Sequence, residues 1–189
     1  MEAALDLIAE RGEDGVTLRE LTDAADANVA AVSYHFGSLK SLCDAAIDQA
    51  LERYLDAQEA AVSALPPEST LDELAAAFAR PMISALTKGG HDRAVIRIVA
   101  RAGIDPPEGW HRLDARFDQI RADVLQVLKA NLPGVRAPEL ILRTRCVAGM
   151  LNWLALARVG EELSDKSEKQ AERLLVPVVA GAFRGTSSV

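Results

Sequence analysis

The chain has 189 residues, 49% of them hydrophobic and 26% charged, with a formal net charge of −7; this is enough apolar material to bury a core in one or two compact units. The longest apolar runs, Cys146 to Ala157 and Leu174 to Phe183, fall short of the roughly 20 residues that span a bilayer, and no basic start followed by an apolar stretch marks an export signal. A soluble, globular, cytoplasmic protein with no membrane partner is expected.

The first clear helix start is at Thr17. Thr17 and Glu20 stand in capping-box spacing, so the hydroxyl takes a free amide of the first turn while the carboxylate reaches back. The helix starts at Leu18 and repeats Leu21 and Ala25 on its buried face; Asp26-Ala27-Asn28 then breaks the pattern with residues that favour turns and caps. Asn28 caps the next helix, in which Val32 and Phe36 point inward and Ala30, Ala31, Ser33 and Tyr34 point outward. Gly37 ends it in a left-handed conformation, and Ser38 caps a third helix. Two helices of about two turns joined by a three-residue turn form a helix-turn-helix, whose second helix fits the major groove of double-stranded DNA.

Helical periodicity then continues with few gaps. Ser38 to about Ala64 reads as one long helix carrying Leu42, Leu51, Leu55 and Val62, closed by Pro66-Pro67 after Leu65. Thr70 and Glu73 make a second capping box, opening a helix through Phe78 to Leu86 with a kink expected at Pro81, and Gly89-Gly90 stops it. A short helix over Asp92 to Ala102 follows, then a turn over Gly103 to Pro107. The next helix spans Glu108 to Asn131, with Leu113, Phe117, Ile120, Val124 and Leu128 on one face and Pro133-Gly134 at its end. Two final helices, about Pro138 to Arg158 and Lys166 to Arg184, are the most apolar. No alternating Val/Ile/Thr runs predict strands, so the fold is all-α with about nine helices. Cys43 and Cys146 lack CxxC spacing, so neither a disulfide framework nor a zinc site is signalled, and both read as reduced core residues.

Residues Ala3 to Leu42, an ungapped run of about forty positions, resemble the N-terminal DNA-binding domain of the tetracycline-repressor (TetR) family of bacterial regulators. The run includes AALDLIAERG, TLREL and YHFGS followed by a further Leu. The resemblance implies a three-helix DNA-binding domain, here residues 1–45, and a helical ligand-binding and dimerisation body, residues 46–189. It implies a palindromic operator as DNA partner and a small-molecule effector. Thr17, Ser33, Tyr34 and His35 would lie against phosphates, with Ala30 and Ala31 toward base edges. Asn28 caps the recognition helix, Arg19 projects from the start of its helix toward a phosphate, and Lys40 is the other nearby cation. Packing against the next helix is the plainer alternative for Tyr34 and His35, and a solvated surface role for Arg19.

Departures from the family pattern are informative. Asp26-Ala27 replaces Gly-Val, which calls for a left-handed Asp, and Lys40 stands one position beyond the family's cation, about 100° round the helix. Residues 1–50 hold only Arg11, Arg19 and Lys40 against ten carboxylates, so generic attraction to DNA is expected to be weak. The first helix begins at Met1-Glu2, where the family commonly has a further segment with Arg or Lys; either the gene start is short or upstream residues are missing.

The last two helices point to an obligate homodimer. Leu174, Leu175, Val178, Val179, Ala182 and Phe183 form a stripe, and the Pro138 to Arg158 helix is apolar over most of its circumference, which calls for cover by a partner or an unusually buried monomer core. Phe78, Met82, Trp110, Met150 and Trp153 are candidates to line an effector pocket, with plain core as the alternative for each and Asn152 facing a helix partner. Arg93, Arg97 and Arg101 form an i, i+4 stripe that holds an anionic ligand or, as is commoner, stands as a solvated face. His35, His91 and His111 are scattered without a nucleophile, carboxylate pair or metal spacing, so no enzyme, metal or cofactor is expected. Two readings remain: a ligand-responsive regulator, usually a repressor in this family, and a helical ligand-binding or interaction protein of the same fold that has lost effective DNA binding.

Overall fold

The periodic segments form nine α-helices and no strand among the described residues of the computed structural model, 2–106, 110–157 and 162–185, the side chains of Glu13, Trp110 and Arg112 excepted. They are α1 (Glu2–Arg11), α2 (Leu18–Ala24), α3 (Val29–Phe36), α4 (Leu39–Ser63), α5 (Leu71–Lys88), α6 (Gly90–Ile104), α7 (Asp114–Asn131), α8 (Ala137–Leu156) and α9 (Glu168–Arg184). No helix among them is long and apolar enough to cross a membrane.

Local chemistry sets the helix starts. The boxes at Thr17/Glu20 and Thr70/Glu73 both form, and a third, Ser167 with Gln170, opens α9 two residues later than the Lys166 start expected from sequence. Pro81 lies inside a continuous α5. Pro177 lies inside α9 on an exposed face, where the carbonyl four residues earlier, lacking a proline amide to accept from, can turn to water. The helix expected from Asp92 begins at Gly90, because Gly89 and Gly90, both at positive φ, bend the chain in a single step between α5 and α6. In place of one helix from Glu108, a 3-10 turn over Trp110–Leu113 leads into α7; the expected start at Glu108 lies outside the described residues.

One buried cluster runs through the whole chain. Ala4, Leu5, Ile8 and Ala9 form the buried face of α1, which packs against both α4 and α6. The 25-residue α4 carries Leu42, Cys43 and Ala46 into the N-terminal core and Leu51, Leu55 and Val62 into the body, so it belongs to both. Truncating a fully buried leucine such as Leu5 or Leu55 to alanine should cost roughly 2 to 5 kcal/mol. Helices α6 and α8 meet at Gly103, where an added Cβ would lie 2.4 Å from Asn152 Nδ2. Asn152 thus faces a helix partner, as the sequence reading allowed.

Arg143 ties α8 to α9 by donating to the carbonyls of Phe183, at 3.0 Å, and Arg184. Arg116 on α7 grips α4 through Glu52, Asp56 and Glu59. The hydrogen bond to Glu59, followed by that to Asp56, raises its pKa further above the usual arginine range.

The α9 stripe divides by face. Val179 and Phe183 are buried, Leu175 and Ala182 half-buried, and Leu174 and Val178 exposed. Cys43 is in the core as expected, but Cys146 is exposed. An apolar run all round α8 does not reveal which side meets the chain's own core, and Cys146 falls on the other side.

Candidate DNA interface and junction cavity

Helix α3 is held by its ends and one narrow edge. Asn28 Oδ1 accepts from the Ala30 amide at 2.7 Å, and the Gly37 amide donates to the Ser33 carbonyl at 2.9 Å. Val32 and Phe36 are half-buried against the core, and no residue of α3 is fully buried. Ala30, Ala31, Ser33, Tyr34 and His35 are all exposed, Tyr34 by 87%. The Tyr34 ring stands edge-on to His35 with centroids 5.5 Å apart. Both rings are solvent-exposed rather than buried against the following helix. A solvent-facing helix with two small side chains, one free hydroxyl and two aromatic tips presents a surface of the size and shape a major groove admits.

The turn before α3 is a Schellman closure. The Asp26 amide donates to Asp23 at 3.4 Å and the Ala27 amide to Thr22 at 2.9 Å. This places Asp26 at φ +48°, the left-handed conformation that replacement of the family's glycine called for. Asp tolerates that region better than most residues but still carries a Cβ there.

All three cations of the first 50 residues already have carboxylate partners. Arg11 meets Glu20 at 2.9 Å, Arg19 meets Asp23 at 3.8 Å and Lys40 meets Asp44 at 3.1 Å. Thr17 is also engaged: its hydroxyl donates to Glu20 Oε2 at 2.7 Å and accepts from the Glu20 amide at 3.3 Å. The Thr17 hydroxyl and amide, with Arg11, hold the Glu20 carboxyl below the usual carboxylate range. The site residues named from sequence therefore fall into two groups. Ala30, Ala31, Ser33, Tyr34 and His35 share one open face, whereas Thr17, Arg19, Asn28 and Lys40 are exposed but occupied by caps and ion pairs.

Among the described side chains, the candidate effector residues do not share one site. Phe78 and Met82 are buried, with Phe78 edge-on to Phe183 at 5.7 Å. Met150 is half-buried, Trp153 is 59% exposed on the outside of α8, and the Trp110 side chain lies outside the described residues. An apolar cavity of about 320 Å³ opens elsewhere, between α1, α4, α6 and the end of α8, lined by Ile8, Ile47, Ile98, Ile104 and Leu156 with Arg101 among them. A second, of about 240 Å³, lies between α4, α5 and α6 beside Tyr54 and Pro81. Burial pushes the Tyr54 hydroxyl up to about 12, and it donates to Gln58 Oε1 at 3.0 Å.

The arginine stripe is not the solvated face that was the commoner expectation. Arg93, Arg97 and Arg101 are each half-buried, and Arg101 donates to the Ile8 carbonyl of α1 at 3.3 Å. The i, i+4 spacing showed that the three share a face; it could not show that α1 covers that face. No group of three or more His, Cys, Asp or Glu side chains suited to a metal occurs among the described residues.

Comparison with known proteins agrees with this architecture. Residues 1–46 match the profile described as bacterial regulatory proteins, tetR family, and residues 76–182 match that of the tetracyclin repressor-like C-terminal domain. The chain is 32% identical over 74 residues to the probable HTH-type transcriptional regulator YttP of Bacillus subtilis, an alignment spanning about a third (36%) of that protein and 39% of this one. Among solved structures, a TetR-like transcriptional regulator from Rhodococcus sp. RHA1 superposes with a TM-score of 0.69 at 16% identity, covering 98% of this chain and 93% of that one. The TetR family regulator PfmR from Thermus thermophilus also gives 0.69, at 21% identity, over 99% of this chain and 98% of that one. From the helix-turn-helix at one end to the C-terminal domain at the other, the chain belongs to the TetR family of bacterial transcriptional regulators.

Proposed function

We propose that this protein is a homodimeric, ligand-responsive repressor that acts in the bacterial cytoplasm and leaves a palindromic operator when a small molecule binds. The single observation that carries the reading is the open face of α3, where Ala30, Ala31, Ser33 and Tyr34 stand exposed on a helix capped at both ends. Residues 1–45 would serve as the DNA-reading unit and 46–189 as the effector-binding and dimerising body. Because α4 runs through both, a shift in the body reaches α3 through it.

Dimerisation is supported by the outer faces of α8 and α9. Leu142, Cys146, Gly149 and Trp153 recur at helical spacing along α8 and are all exposed, as are Leu174, Pro177, Val178 and Gly181 along α9. The two helices pack against each other, so exposed apolar residues stand on neighbouring helices, a feature that marks interaction surfaces. Two copies joined there form a four-helix interface that can set two α3 helices about 34 to 36 Å apart. Light scattering should give twice the 20.3 kDa chain mass, and Trp153→Glu should halve it; a monomeric parent at micromolar concentration overturns the dimer.

The carboxylate partners of Arg11, Arg19 and Lys40 favour a second reading, an interaction protein of the same fold without effective DNA binding. A discrete gel-shift band with the protein's own upstream DNA supports the repressor; its absence supports the alternative.

A further inference from the structure

The cavity between α1, α4, α6 and α8 has the composition of a binding site for an amphipathic anion. Its walls are aliphatic: Ile8 from α1, Ile47 from α4, Ile98 and Ile104 from α6, and Leu156 from α8. Its volume, about 320 Å³, is that of a small-ligand pocket. One cation, Arg101, lines it, and no carboxylate among the described residues forms an ion pair with that guanidinium. Asp105, the one acidic group on the lining, is exposed to solvent. Among the described residues the guanidinium has one hydrogen bond, to the Ile8 carbonyl at 3.3 Å, which also accepts from the Gly12 amide at 2.8 Å. A half-buried guanidinium in an aliphatic wall, bonded to a carbonyl that already has a donor, keeps its remaining N–H groups for an acceptor.

We propose that this cavity binds a small, largely apolar monocarboxylate, its carboxylate paired in a fork with Arg101 and its hydrocarbon part against Ile47, Ile98 and Leu156. A single planar guanidinium suits a carboxylate, and the scarcity of other donors disfavours a doubly charged phosphate. The cavity lies at the junction between α1 and the body, and a carboxylate forked onto Arg101 draws the guanidinium toward itself and lengthens its bond to the Ile8 carbonyl. Binding thereby loosens α1 from α6 and shifts α2, which rests on α1, and through α2 the recognition helix α3. As a switch, the site rests on the ligand-responsive reading above; as a binding site, it stands without it.

Octanoate and its uncharged counterpart octanol serve as probes, titrated calorimetrically into the full-length protein, Arg101→Gln and Ile98→Phe. Octanoate should bind the parent at one per chain and at least about tenfold more tightly than octanol, Arg101→Gln should abolish that preference, and Ile98→Phe, which fills the cavity but keeps the charge, should weaken both probes. Equal binding of the two probes by the parent, or full octanoate affinity in Arg101→Gln, overturns the assignment. Should Arg101→Gln fail to fold, undiminished octanoate binding by Ile98→Phe does so. A gel shift with upstream DNA separates the two claims. A parent that shifts DNA but does not bind octanoate overturns the cavity assignment alone; one that binds octanoate without losing its DNA band overturns the switch and leaves the site.

Discussion

The His91 imidazole at the head of α6 lies 3.1 Å from the Asp6 carboxylate on α1, spanning 85 residues of sequence. Its other nitrogen lies 3.1 Å from Arg53 Nη1 on α4. Arginine only donates, so Nε2 accepts from it and Nδ1 donates to Asp6, which joins three helices through one ring. His91→Ala should lower stability by about 1 kcal/mol and speed amide exchange in α1. Asp6→Ala should have little further effect in that background; fully additive losses in denaturant unfolding would contradict the shared network.

The left-handed Asp26 predicts a gain from its removal. Asp26→Gly relieves the Cβ at φ +48° and should stabilise the protein by up to about 1 kcal/mol, less whatever the more flexible unfolded chain takes back. Asp26→Asn keeps a Cβ and removes only the charge, so it separates strain from electrostatics. If both variants melt with the parent, the turn is unstrained.

The paired cations predict an unusual response to salt. With Arg19 bound to Asp23 and Lys40 to Asp44, log K for DNA should fall only shallowly with log[salt]. Asp23→Asn and Asp44→Asn each free one cation per chain and should raise affinity while steepening the slope by up to about 0.9 per new phosphate contact. A parental slope like that of a protein making about ten contacts would overturn the charge argument.

The capping box of α2 sets an acid limit. The folded Glu20 carboxyl sits below its unfolded value of 4.5, so its contribution is fully present above that value and disappears as pH falls through the folded one. The parent should therefore unfold at a higher temperature than Glu20→Gln at neutral pH, with the gap narrowing as pH falls below 4.5. A gap unchanged from about pH 7 to 3 would exclude the ionised carboxylate as its source.

What could be read from sequence was local. Thr17/Glu20, Asn28 and the Thr70/Glu73 box announce helix starts because donor and acceptor lie within one turn, and the strained turn followed from Asp26 standing in a glycine position. Long-range relationships were not legible. The Arg101 to Ile8 bond spans 93 residues, and the fit of Asn152 onto Gly103 depends on how closely α6 approaches α8. Cys146 was misplaced for the same reason, because an apolar helix shows how much cover it needs but not where that cover comes from. Size and polarisability single out the aromatic and Met side chains as effector candidates, whereas the junction cavity is lined by isoleucines that look like ordinary core.

The central claim is that the open face of α3 reads a specific DNA sequence. Fluorescence anisotropy on labelled DNA from upstream of the gene, against a shuffled fragment of equal length, tests it most directly. The parent should prefer the upstream fragment by at least about a thousandfold, and Ser33→Ala with Tyr34→Ala should remove most of that preference while leaving the fold intact by circular dichroism. Equal affinity for the two fragments, or a preference untouched by the double substitution, would contradict the account.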